Sequence, residues 1–283
     1  MLKQRIITAV ILLAAIIASL YVSPMAFLAL AAVAMGCCLW EWLRICGWNT
    51  YAAGVCGAAV AVVLYALEWF APESLNPAAS TGAMTAITGL ATLIWTFLTA
   101  MVIIKRTPGW VVPKALGSVL AWVMVPASWY SLLWLFTSEA GGIVYMLSVL
   151  CVVWIADVGA YFVGRTCGGP KMAVGISPKK TWSGAVGAVV LVIAIAWALK
   201  VFAPELNLWS TELITKAGSI AASVILFVVV VFSIAGDLFE SALKRSAGIK
   251  DSSNLLPGHG GVYDRIDAQV AVLPLAVFLM LVL

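Results

Sequence analysis

Long apolar stretches separated by short polar ones set the pattern of this chain. The runs are Ile6–Ser23, Met25–Trp40, Tyr51–Trp69, Gly82–Ile104, Leu116–Phe136, Ile143–Val163, Ala185–Ala203, Ala217–Ala235 and Ala268–Leu283. A membrane-crossing helix needs about 20 apolar residues, within a range of roughly 17–25. The second and last runs are the shortest. The second lengthens if it continues through Trp42 and Leu43, and the last if it begins inside the polar segment before it. Pro126 lies inside the fifth run, where neighbouring helices can satisfy the carbonyl that a proline frees. The pattern predicts an all-α, polytopic integral membrane protein with about nine transmembrane helices. It forms a single membrane domain over residues 1–283. Residues 1–140 carry spans without a chemical motif, and residues 141–283 form the half that holds the polar loops at 164–184 and 237–267, where any chemistry is expected.

Composition agrees with this class. The chain is 64% hydrophobic and 10% charged, with a mean hydropathy of +1.11, whereas soluble domains carry about 25% charged residues. Basic residues orient the spans, because cytoplasmic loops are enriched in Lys and Arg. With the N-terminus inside, the cytoplasmic side collects Lys3, Arg5, Arg44, Lys105, Arg106, Lys114, Arg165, Lys171, Lys179, Lys180, Lys244, Arg245, Lys250 and Arg265, which is 14 of 16. Lys200 and Lys216 fall outside. The first span resembles a signal peptide, with Lys3 and Arg5 before an apolar run. It is long and leads through Ser23-Pro24 straight into another span, so it reads as an uncleaved anchor. Trp40, Trp42, Trp69, Trp110 and Trp182 fall near span ends and read as interfacial belts. The six cysteines form no CxxC pair, which argues against a structural zinc or iron–sulfur site.

Residues 237–267 hold the only histidine, five of the 12 acids and four of the 16 bases. Asp237, Glu240, Ser241, Lys244 and Arg245 follow a helical repeat and share one face. A solvated face with an Asp237–Lys244 or Glu240–Lys244 pair is the simplest account. An acid at the end of an apolar span nevertheless needs a partner or a function. Gly258, His259, Gly260 and Gly261 form a turn in which the backbone can approach a ligand closely. Asp264 and Asp267 follow at the mouth of the last span, where acids also suit a helix start. A second polar loop holds Ser177, Pro178, Lys179, Lys180 and Thr181. Ser177 then Pro178 reads as N-cap then first helical position, which offers free N–H groups and basic side chains to a phosphate. Lysines beside a membrane also serve lipid headgroups. Asp157, inside the sixth span, pairs with Arg165 or a loop lysine, or faces the site.

Ser241, Lys244, Arg245, Lys250, Asp251, the Leu256-Pro257-Gly258-His259-Gly260-Gly261 run and Asp264-Arg265-Ile266-Asp267 together resemble the signature of the phosphatidate cytidylyltransferase (CDP-diacylglycerol synthase) family. Ser177 to Thr181 resembles that family's second motif. The resemblance implies an enzyme of a bacterial inner membrane, with its active site facing the cytoplasm. It would convert CTP and phosphatidate to CDP-diacylglycerol and pyrophosphate with Mg²⁺, and act as a homodimer. It points to Asp237, Lys244, Arg245 and Asp264 as catalytic. Asp237, Asp264 and Asp267 are the expected metal ligands, with Asp251 a further candidate. Ser177, Lys179, Lys180, Thr181, Ser241, Lys250, His259, Gly260, Gly261 and Arg265 would bind substrate. His259 is assigned to binding or loop geometry, since a phosphate monoester is already largely ionised at neutral pH. No nucleic-acid partner is expected. Rival readings are CTP-dependent transfer to another lipid acceptor, a transporter, and a scaffold protein.

Overall fold

The computed structural model describes residues 2–70, 81–105, 112–137 and 142–283. Arg106 and Trp110, assigned above to the cytoplasmic side and to a belt, lie outside them. The helices are α1 (Leu2–Val22), α2 (Pro24–Ile45), α3 (Thr50–Phe70), α4 (Thr81–Lys105), α5 (Lys114–Thr137) and α6 (Gly142–Cys167). After a hairpin of β1 (Lys171–Ala173) and β2 (Ser177–Thr181) come α7 (Trp182–Phe202), α8 (Trp209–Ala217), α9 (Ser219–Ser246) and α10 (Tyr263–Val282). Eight of these helices are long and apolar enough to cross a membrane, and the apolar part of α1, Ile6–Val22, is shorter. The expected all-α membrane architecture therefore holds, and the count of about nine spans is close. α2 continues past Trp42 to Ile45, and α10 starts inside the polar segment at Tyr263.

Local chemistry explains the ends. The Ser23 hydroxyl accepts the Ala26 N–H at 3.0 Å, and Pro24 takes the first turn of α2, where a missing N–H costs nothing. Gly248, at φ 74°, stands just beyond the end of α9. The second polar loop corrects the expectation for Ser177 and Pro178. They do not start a helix. Ser177 pairs with Ala173 and Thr181 with Lys171 in the antiparallel hairpin. The helix begins only at Trp182, capped by the Thr181 hydroxyl, which accepts Gly184 N–H at 3.2 Å.

α10 lies at the centre, packed by α4, α5 and α9. Pro274 inside it frees the carbonyl of Val270, and the Ser128 hydroxyl of α5 sits 3.0 Å from that oxygen and 2.8 Å from the Met124 carbonyl, so the two acceptors share its proton. This is the expected remedy for a proline inside a bundle. Close helix approach rests on small residues: a Cβ on Gly36 of α2 would stand 2.5 Å from the Gly57 carbonyl of α3. Beneath the polar segment lies an aromatic core. Trp42 stacks on Tyr263 with centroids 5.0 Å apart, and Phe239 meets Trp42 and Trp95 edge-on. Trp42 is thus fully buried and not a belt residue, because α9 and α10 cover it. Trp69 and Trp182 remain exposed. Cys46 is buried, and burial pushes its thiol up to about 11, as suits a packing residue.

Candidate active site

The polar residues of α6, α9, α10 and both loops converge on two adjoining cavities. The first, about 470 Å³, is lined by the acids Asp157, Asp237, Glu240, Asp251, Asp264 and Asp267 and by the bases Lys244, Arg245, Lys250 and Arg265. The second, about 670 Å³, is lined by Arg165, Lys171, Ser177, Lys179, Lys180 and Thr181. Asp157 and Asp237 line both. Asp157 therefore faces the site. An entirely apolar groove lies alongside, between α7 and α9, and shares Met172, Ala185 and Ile234 with the second cavity.

Each of the two leading aspartates holds a different lysine. Asp237 Oδ2 is 2.7 Å from Lys180 Nζ, and Ser241 Oγ donates to Asp237 Oδ1 at 3.2 Å. Lys180 Nζ also reaches the Ile234 carbonyl at 3.3 Å, so the hairpin is tied to α9. Lys244 pairs with Glu240 at 2.6 Å and with Asp264 Oδ1. Of the two helix-face pairs weighed from the sequence, Glu240–Lys244 forms, and Asp237 takes Lys180 instead. Arg245, on the same helix, is exposed and reaches the Ile249 carbonyl at 3.3 Å.

Asp264 Oδ2 accepts the N–H of Gly261 at 2.7 Å and the N–H of Ser252 at 2.9 Å, and it shares the single Ser252 hydroxyl proton, 2.9 Å away, with Glu41 Oε2. The glycine turn thus presents its inward N–H to a carboxylate of the protein itself. A Cβ on Gly260, already at φ 83°, would stand 2.5 Å from Asp264 Oδ2. His259, Gly260 and Gly261 lie behind Asp264 and do not line either cavity. The His259 backbone N–H closes the turn onto the Leu256 carbonyl at 2.8 Å. Asp267 Oδ1 takes the Ala268 N–H at 2.8 Å.

The sequence reading missed two acids. Glu240 was seen as part of a helix face, yet it is 1% exposed and faces the first cavity. Glu41, near the end of α2, received no role, yet it is fully buried and accepts four hydrogen bonds from residues 252–263. Its one sequence signal is a lone acid in an apolar run.

Comparison with known proteins bears on this geometry. Residues 3–283 match the cytidylyltransferase family. A phosphatidate cytidylyltransferase of Pseudomonas aeruginosa is 36% identical over 284 residues, covering 97% of this chain and 95% of that one. That of Haemophilus influenzae is 42% identical over 134 residues, 47% of this chain and 44% of the other. That of Staphylococcus haemolyticus is 35% identical over 150 residues, 53% and 54% of the two chains.

Proposed function

The chain belongs to the cytidylyltransferase family, and on that premise we propose that it transfers a cytidylyl group from CTP to phosphatidate, giving CDP-diacylglycerol and pyrophosphate. The observation that carries this reading is the pair of charged cavities joined at Asp237, with an apolar groove opening from the second. Such a groove suits acyl chains, and the basic cavity beside it suits the lipid phosphate. The first cavity then takes the nucleotide.

In the reaction a phosphate oxygen of phosphatidate attacks the α-phosphorus of CTP, and pyrophosphate leaves. The nucleophile needs no strong base, because the second pKa of a phosphate monoester is about 6. The difficulty is the meeting of two polyanions. Lys180, with Lys179, Lys171 and Arg165 around the second cavity, neutralises the acceptor. Lys244, Arg245, Lys250 and Arg265 do the same for the triphosphate and the departing pyrophosphate. Ser177 and Thr181, at the second cavity, orient the acceptor, and Ser241 orients Asp237.

The donor set fits Mg²⁺, which favours hard oxygen ligands. Among the described residues no three His, Cys, Asp or Glu side chains form a cage. That suits an ion carried in on nucleotide phosphates, which takes only one or two carboxylates from the protein. Asp237 and Asp264, the leading pair, would hold it, with Asp267 lining the same cavity as the alternative ligand. When bound, it supplies charge neutralisation at the triphosphate. Lys180 and Lys244, which pair with Asp237 and Asp264, would share those carboxylates with the ion and present their charge to phosphate. We further assign the enzyme to a bacterial inner membrane as a homodimer, with the N-terminus and both cavities on the cytoplasmic side.

The direct test is turnover of labelled CTP by purified protein in mixed micelles. CDP-diacylglycerol should form with phosphatidate, and neither a phosphorylated isoprenoid nor a CDP-activated ether lipid should form when those acceptors are offered instead. Product with either of those instead would move the acceptor to another lipid class. Orientation is read from the native Cys167, which is exposed at the end of α6, and from Asn254→Cys. With the other cysteines replaced by serine, both should react with a membrane-impermeant maleimide only in inverted vesicles. Labelling in intact cells would reverse the topology.

A further inference from the structure

We propose that Glu41 is a positioning residue for the transfer reaction, acting from the motif-free N-terminal half on the loop that carries Asp264. Its Oε1 accepts the Ser253 hydroxyl at 2.6 Å and the Val262 N–H at 3.0 Å. Its Oε2 accepts the Ser252 hydroxyl at 2.8 Å and the Tyr263 N–H at 2.7 Å. The four donors come from both ends of the loop, so a single side chain clamps it shut.

The clamp reaches Asp264 by two routes. Ser252 Oγ lies between Glu41 Oε2 and Asp264 Oδ2, and Ser252 N–H holds the same aspartate oxygen. Tyr263, the first residue of α10, is pinned by its N–H to Glu41 and by its ring against Trp42, which fixes the turn from which Asp264 projects. Gly261 fits the same design. A Cβ there would run into Ser252 Oγ and both oxygens of Glu41. A second tether comes from α1, where the Thr8 hydroxyl donates to the Pro257 carbonyl at 2.8 Å.

The chemistry demands a carboxylate. A carboxylate offers about four acceptor sites and no donor when ionised, which matches the two backbone N–H groups, the Ser253 hydroxyl and the shared Ser252 hydroxyl around Glu41. An amide of the same shape cannot serve them. Whichever way it flips, its NH₂ faces either Val262 N–H or Tyr263 N–H, and a backbone donor cannot rotate away. Aspartate keeps the acceptors but falls short by one methylene.

The inference rests on the cytidylyl-transfer reading, and the wild-type enzyme separates the two. No turnover of CTP with phosphatidate by wild type would sink the reading itself. Given wild-type turnover, Glu41→Gln should lower kcat roughly 10–100-fold, the range typical when a supporting partner of a site residue is removed. KM for CTP should change little, since Glu41 lines neither cavity. Amide hydrogen exchange in peptides covering 252–263 should speed up, while that of α5 and α7 stays unchanged. Glu41→Asp should recover part of kcat. Wild-type kcat in the folded Glu41→Gln protein, or a loss that only tracks the amount of folded protein, overturns the proposal. If Glu41→Gln does not fold, Ser252→Ala decides, since it removes only the hydroxyl between the two carboxylates. Its kcat should fall several-fold, and full activity there overturns the proposal as well.

Discussion

Asp264→Asn should remove cytidylyl transfer almost completely while leaving a folded, membrane-inserted protein. Two backbone N–H groups and the shared Ser252 hydroxyl converge on Asp264 Oδ2, and the Lys244 ammonium sits on Oδ1. An asparagine must point its NH₂ either at the backbone N–H groups or at the ammonium. Both arrangements set donor against donor. Loss of one well-placed charged group at a polar reaction centre costs about 10²–10³-fold in kcat, and the misaligned lysine adds to it. Asp237→Asn should behave similarly, since it releases Lys180. The double variant carries the mechanism. If both aspartates serve one Mg²⁺, the second substitution adds little to the first. If they act only as partners of their own lysines, the two pairs are separate and the losses multiply. Multiplicative losses would therefore remove the shared metal from the mechanism.

Lys180→Ala should lower kcat/KM for phosphatidate by about 100-fold or more, the effect of removing a preorganised charge from a developing anion. Lys179→Ala should cost only a few-fold. The adjacent lysines look equivalent in sequence, but the hairpin separates them. Lys180 is half-buried and bound to Asp237 and to the Ile234 carbonyl, while Lys179 is exposed. Lys180→Arg should not restore activity fully, because a planar guanidinium cannot occupy the place of a compact ammonium between those two oxygens. The measurement is steady-state kinetics with phosphatidate varied at saturating CTP. Equal effects at the two positions would return both lysines to a general role at the lipid surface.

Much of this molecule was legible in its residues because hydropathy is a one-dimensional signal. Each long run became a helix, and Ser23-Pro24 marked a boundary that the structure keeps. The charged segment was legible as well, since an acid beside an apolar run has few inexpensive environments. The hairpin was not. Ser177-Pro178 carries the letters of a helix start, and the pairing of Ser177 with Ala173 outweighed them. Trp42 looked interfacial by position along its run, and only the packing of α9 and α10 over it made it a core residue. Glu41 was the least legible of all. Its partners lie 211–222 residues away, and a single sequence holds no sign of a contact at that distance.

That separation also has a consequence for biogenesis. α2 leaves the ribosome long before the residues that complete it. At about 5–20 residues per second, the 211 residues between Glu41 and Ser252 take roughly 10–40 s to make. Through that interval the Glu41 carboxylate depends on water at the membrane edge, four residues from the end of its helix. Chain termination before α9 would leave it there permanently, with the Trp42 ring bared beside it. Such a fragment carries a charge and an aromatic face that membrane quality control can read, and incomplete chains should be cleared from the membrane faster than the finished protein.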